Sequence, residues 1–160
     1  MIRLGKLTDY GLVLMSQIAR MPHTELHTAR DLALQCGLPL PTVSKLLKIL
    51  LQSGLLSSHR GTKGGYILVR EPQIISLAEI ISALEGPLAL TECSSDVAGL
   101  CDLESSCLIK DNQRVINKVV RGALENLMLS DLIRPMHPPP ERQKRSDLIP
   151  TSSLISGRMQ

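Results

Sequence analysis

Apolar residues recur along this chain at helical spacing in several stretches and at strand spacing in two short ones. Leu7, Gly11, Leu14, Met15 and Ile18 fall at i, i+4, i+7, i+8 and i+11, which predicts one face of an amphipathic helix over 7–20. Thr8 or Asp9 stands where a cap or first-turn acid belongs, and Met21-Pro22-His23 ends the element. Thr28-Ala29-Arg30-Asp31 opens a second helix, with Thr28 as cap and Asp31 reaching back. That helix runs through Leu32, Ala33 and Leu34 to Cys36 and stops at Gly37. Leu38-Pro39-Leu40-Pro41 is a rigid turn, and Pro41 suits the first position of a third helix. Val43, Leu46, Leu47, Leu50 and Leu51 of that helix point inward, Thr42, Ser44, Lys45 and Lys48 point outward, and Gly54 closes it.

The period then switches. Leu55–Ser58 and Tyr66–Val69 read as short strands flanking His59-Arg60-Gly61-Thr62-Lys63-Gly64-Gly65, a Gly-rich hairpin with two cations. Two helices joined by a tight turn, followed by a basic-tipped hairpin, make a winged helix-turn-helix. Ser76-Leu77-Ala78-Glu79 is a capping box for a helix that ends at Gly86-Pro87. After a cysteine-bearing stretch, residues 108–132 read as one long helix with a broad apolar stripe, including Ile116, Val119, Val120, Ala123, Leu124, Leu127 and Met128. No large element follows to cover that stripe, so pairing with a second copy is the economical solution. The expected fold class is mainly α with a small β-hairpin wing, plus a long dimerisation helix. Its expected parts are a winged helix-turn-helix domain (1–86), a cysteine-bearing loop (87–107), a dimerisation helix (108–133) and a disordered Pro/Ser-rich tail (134–160).

Composition reinforces this picture. The chain has no Phe or Trp and two Tyr, so its core must be built from Leu, Ile, Val, Ala and Met, which favours helices. The lack of aromatics argues against a base-stacking surface for single strands. No secretory signal and no run of eighteen apolar residues is visible, so the expectation is a cytoplasmic protein with no membrane partner. Lys and Arg exceed Asp and Glu by three, with the excess in residues 1–85 and a slight acidic balance over 86–137. A basic front half beside an acidic, cysteine-bearing middle points to separate tasks.

Cys93, Cys101 and Cys107 lie within fifteen residues rich in Ser, Gly, Asp and Glu. Such a segment cannot form an apolar core, and thiols in a reducing compartment read first as metal or redox ligands. Spacing alone leaves three readings open: an iron–sulfur cluster, structural zinc, or plain reduced thiols. Cys36 stands apart among apolar residues and reads as a core thiol. His23, His27, His59 and His137 show no ligand spacing. No nucleophile–base pairing or phosphate loop is apparent, so an enzyme with a small-molecule substrate is not expected. Lys63-Gly64-Gly65 sits in a hairpin rather than between strand and helix.

Duplex DNA is the expected partner of the front half. Thr42, Ser44, Lys45 and Lys48 would meet base edges or phosphates from the third helix in the major groove. Arg60 and Lys63 suit a narrow minor groove, and Gly61, Gly64 and Gly65 let the wing backbone turn tightly and approach phosphates. Arg3, Lys6 and Tyr10 could anchor the flanking backbone.

KLTDYGLVLM, TARDLALQCGLPLPTVSKLLKILLQSGLL, SHRGTKGGYILVR, ISLAEIISALEGP and the three-cysteine loop together resemble the IscR/NsrR-like (Rrf-two) regulators over about residues 1–133. Within that family, LPLPTVSKLLK, RGTKGGY and LEGPLALTEC look most like regulators of SUF iron–sulfur cluster assembly operons. The resemblance implies a homodimeric winged-helix transcription regulator, a repressor of cluster-assembly genes, binding their operator DNA. It also implies an iron–sulfur cluster on Cys93, Cys101 and Cys107 as cofactor. Some members supply a fourth ligand as a histidine three residues past the last cysteine; here that place is Lys110, whose ammonium cannot ligate. Others use an aspartate near the start of the first helix of the other subunit, which matches Asp9. The plainer role for Asp9 is a first-turn acid stabilised by the helix dipole. Seven residues separate Cys93 and Cys101 where five are common in the family, so [2Fe–2S] and [4Fe–4S] both stay open. Two rivals remain: a zinc-stabilised winged-helix protein that senses nothing, and a small cluster-carrier or redox protein.

Overall fold

The computed structural model describes residues 3–22, 24–61, 63–94, 100–102 and 106–135. The expected tail from residue 136 onward, and Asp96 and Glu104 of the cysteine stretch, lie outside the described residues. Helix α1 (Lys6–Arg20) buries Leu14, Met15 and Ile18, with Asp9 in its first turn and Arg20 in its last, both complementing the dipole. Thr8 is not a cap: it is fully buried, and Gly5 occupies the N-cap. Helix α2 (Ala29–Cys36) is capped by Thr28, whose Oγ1 accepts from the Asp31 N–H at 3.2 Å while its hydroxyl donates to Asp31 Oδ2 at 2.6 Å. Helix α3 (Leu40–Gln52) starts one residue earlier than expected, with Pro39 as N-cap and Pro41 at its second position. Proline is tolerated there because the N–H groups of the first turn have no helical acceptor.

Strands β1 (Leu56–His59) and β2 (Gly65–Leu68) pair antiparallel, Leu56 opposite Leu68 and His59 opposite Gly65. The hairpin thus sits one residue inward of the expected 55–58 and 66–69. The cause is local: the Leu55 N–H donates to Leu50 O at 3.0 Å, so Leu55 still serves the end of α3. His27 is buried and adds a bridge to the hairpin through Tyr66, with N···O distances of 3.0 and 2.8 Å. A Cβ on Gly65 would lie 2.7 Å from His27 O, so only glycine lets the backbones meet there. The side chains of α1, α2, α3, β1 and β2 enclose one apolar core of Leu, Ile, Val, Met and Ala, completing a winged helix.

Helix α4 (Leu77–Glu85) opens as expected, with Ser76 Oγ accepting from the Glu79 N–H at 3.2 Å. Arg70, just beyond the wing, pairs with Glu79. The long helix expected over 108–132 is shorter: α5 spans Lys110–Glu125, and a separate turn, α6 (Leu129–Leu132), follows. Between them the chain extends so that the Leu77 N–H donates to Leu127 O and the Leu129 N–H to Ile75 O, both at 2.8 Å. Leu129 becomes fully buried in the winged-helix core. Helical spacing of Leu124, Leu127 and Met128 mimicked continuation, but two backbone hydrogen bonds and a buried leucine outweigh one more helical turn. Within α5 no residue is buried.

Candidate DNA interface and cysteine segment

The exposed side of α3 carries Ser44, Lys45 and Lys48, with Thr42 half-buried beside them. Their placement follows from the inward stripe, because Val43, Leu46, Leu47 and Leu50 are all fully buried and fix the helix rotation. At the hairpin tip Arg60, Gly61 and Lys63 are exposed and Gly64 is half-buried. Gly61 has φ +125°, a conformation that side chains rarely adopt, and a Cβ on Gly64 would lie 2.3 Å from His59 O. The two glycines therefore set the wing tip that holds the cations. Near the start of α1, Lys6 is exposed and its Nζ lies 5.6 Å from the centre of the half-buried Tyr10 ring, so the ring steadies the ammonium group. Hydroxyls and ammonium groups on a helix face, with guanidinium and ammonium groups on a wing, can meet phosphates and base edges of a duplex.

One contact that sequence patterning missed orders the start of α1. Glu85 Oε1, at the end of α4, accepts from the Gly5 N–H at 2.5 Å and from the Thr8 hydroxyl at 2.6 Å. The carboxylate pins the first turn of α1 to the point where the chain departs toward the cysteines. Asp9, the next residue after Thr8, is exposed, and its carboxylate makes no hydrogen bond or ion pair among the described residues. Nothing in the sequence marked Glu85 beyond its place in LEGP; the signal lies in tertiary proximity.

The described ends of the cysteine segment both meet α5. Cys93 stands in a single 3-10 turn, Glu92–Ser94, closed by Ser94 N–H to Thr91 O at 3.0 Å and Ser94 Oγ to Thr91 O at 2.8 Å. Asn117 of α5 grips this stretch through its side-chain amide. Cys107 lies just ahead of α5, its carbonyl accepting from the Lys110 N–H at 3.4 Å. Cys101 and Cys107 are half-buried free thiols. Among the described residues no three His, Cys, Asp or Glu side chains converge on one point, and the Cys93 side chain is outside that description. Among the described residues Asp9, Cys101 and Cys107 thus form no such group within one chain. Cys36 is half-buried, and desolvation raises its thiol pKa, as befits a packing thiol rather than a ligand.

The far side of α5 is apolar and uncovered: Val115, Ile116 and Val119 are 62%, 48% and 67% exposed, and Leu108 and Ile109 ahead of the helix are 99% and 53% exposed. Isolated surface leucines and valines need no explanation, but a contiguous stripe of this kind marks an interaction face. No helix among the described residues is long and apolar enough to cross a membrane.

The HTH-type transcriptional regulator IscR of Klebsiella pneumoniae is 29% identical over 132 residues, covering 82% of this chain and 80% of that protein. The HTH-type transcriptional regulator NsrR of Shouchella clausii is 26% identical over 132 residues, covering 82% and 89%. Among solved structures, CymR, the global cysteine regulator of B. subtilis, superposes with a TM-score of 0.65 at 28% identity, over 83% of this chain and 97% of that one. Residues 4–135 match the Rrf2 family, described as iron-dependent transcriptional regulators. A winged helix with a basic α3 and wing, a cysteine segment tied to α5, and this match over most of the chain place the protein in the Rrf2 family of DNA-binding transcriptional regulators.

Proposed function

We propose that this chain is a homodimeric repressor of SUF-type iron–sulfur cluster assembly genes that registers cluster supply through an iron–sulfur group on Cys93, Cys101 and Cys107. The observation that carries the proposal is the attachment of α5. Its N-terminal end stands three residues after Cys107, the segment that follows its C-terminal end is paired through Leu127 and Leu129 to Leu77 and Ile75, and its apolar face is uncovered. A change in the cysteine segment therefore reaches both the dimer face and the DNA-binding core through one rigid element.

The donor set fits the group. Three thiols in a polar segment, two of them half-buried and free, are soft ligands suited to iron–sulfur clusters. Lys110 cannot complete the set, and the exposed, unengaged carboxylate of Asp9 is open to donation across the dimer. A bound cluster would supply redox chemistry and a node joining the three thiols. On the DNA side, Thr42, Ser44, Lys45 and Lys48 read the major groove, while Arg60 and Lys63, presented by Gly61 and Gly64, enter the minor groove. Lys6 and Tyr10 hold flanking phosphates. A two-fold dimer presents its two α3 helices about one helical turn, roughly 34–36 Å, apart, so a small rotation at α5 changes how well both half-sites fit. Cluster occupancy controls binding only insofar as the two arrangements hold the cluster with different affinity.

Anaerobic purification followed by absorption spectroscopy and iron, sulfide and zinc analysis tests the cofactor. Iron and sulfide near stoichiometric amounts are expected; zinc without either sinks the sensor reading and leaves a zinc-stabilised DNA-binding protein. Binding of loaded and cluster-free protein to a cluster-assembly promoter tests the switch, which equal affinity in the two states would refute.

A further inference from the structure

The side of α5 opposite the apolar stripe carries Gln113, Asn117, Val120 and Leu124, all half-buried. Asn117 is the polar member that makes a cluster of contacts to another segment. Its Oδ1 accepts from the Leu90 N–H at 3.1 Å. Its Nδ2 donates to Leu88 O at 3.4 Å and to Ser94 O at 3.3 Å. A carboxamide has two N–H donors and two acceptor lone pairs, so three of the four are engaged by the backbone of 88–94. The pattern is specific to an amide. Aspartate of the same shape would keep an acceptor for Leu90 but would turn an oxygen toward two carbonyls, and leucine would satisfy none of the three.

The gripped stretch is the one that delivers Cys93. Ser94 closes the turn internally through Thr91, with Thr91 N–H and Thr91 Oγ1 each donating to Ser94 Oγ at 3.1 and 3.0 Å. The turn is thus a preformed unit, and Asn117 seats its backbone on α5 through three hydrogen bonds. Cys107 is tied to the same helix by chain connectivity, three residues ahead of Lys110, which opens α5 about two turns before Asn117. Resting on the proposed cluster reading, we infer that Asn117 is a positioning residue: it holds the Cys93 turn in register with Cys107 on α5, and it passes displacements of that turn to the dimer helix. Because Asn117 and Val119 are two residues apart, they face nearly opposite sides of α5. One helix therefore bears the cysteine turn on one side and the uncovered apolar stripe on the other.

The test is Asn117→Asp, the near-isosteric replacement, beside Asn117→Leu, which removes all three bonds, each in the full chain. In cluster-free protein, hydrogen exchange at the Leu90 amide should accelerate about tenfold, the equivalent of one to two net hydrogen bonds, while amides within α5 keep their rates. In reconstituted protein the half-life of the cluster under a chelator challenge should fall about tenfold, with thermal unfolding of the cluster-free chain little changed. Parallel acceleration across α4 and α5 would mean that Asn117 only supports the helix packing, and would overturn the inference. So would a cluster half-life equal to that of the wild type. If the wild-type chain takes up no cluster, the functional proposal fails by itself; selective exchange at Leu90 still establishes the clasp, and its absence refutes it.

Discussion

Val119→Asp separates the fold from the assembly. Val119 is 67% exposed, on a helix in which no residue is buried, so the single chain has little to lose there. If α5 packs against its symmetry mate, each copy of Val119 covers the apolar surface now open. Full burial of a valine contributes about 1.5–3 kcal/mol, so covering two-thirds of it contributes about 1–2 kcal/mol. A two-fold interface contains the residue twice, which gives about 2–4 kcal/mol lost on truncation alone. That corresponds to roughly 30- to 1,000-fold in the dimer dissociation constant. The aspartate adds the cost of burying a carboxylate without a partner. Sedimentation velocity across a concentration series should therefore show monomer where the wild type is dimeric. Circular dichroism and the urea m-value per chain should be preserved. Affinity for a two-half-site operator should fall with dimerisation, while affinity for a single half-site should change little. A dissociation constant within threefold of the wild type would refute the assignment of this face as the dimer seam.

Leu129→Ala, at a fully buried site where the segment after α5 enters the core, should destabilise the chain by about 2–5 kcal/mol in urea titration; a loss under 0.5 kcal/mol would mean that this segment is not part of the cooperative unit. Lys48→Ala should weaken binding to duplexes of any sequence and lower the slope of log affinity against log salt by about one, and an unchanged slope would remove Lys48 from the phosphate contacts. Burial favours the neutral form of the Cys36 thiol and so lowers its thiolate fraction at any pH below its raised pKa. Iodoacetamide should accordingly modify Cys36 more slowly than a free model thiol at pH 8, with the difference closing as the pH rises through the raised value; equal rates at pH 8 would contradict its burial.

The winged helix was legible because its signals are local. Thr28 and Ser76 announce their helices by hydrogen bonds three residues ahead, and Gly37 stops α2 in a left-handed turn. The alternation from helical to strand spacing after Gly54 places the wing, and the inward leucines of α3 fix which of its residues face out. The short-range error at Leu55 arose because one residue can end a helix or begin a strand, and a single hydrogen bond to Leu50 decides it.

Contacts distant in sequence were beyond that kind of inference. The end of α5 looked like more helix because apolar spacing does not say which surface will cover an apolar side chain; Leu129 found the core, eighty-six residues beyond Val43, which lies in that same core. Glu85 and Asn117 are polar residues on ordinary helices, and their roles depend wholly on which backbone groups the fold brings to them. The three cysteines show the same division. By itself the sequence determined that they form a thiol-rich, core-less segment between a DNA-binding domain and an amphipathic helix. Only the tertiary structure decided that the segment is seated on that helix, because an amide on its half-buried side meets the backbone of the turn that carries Cys93.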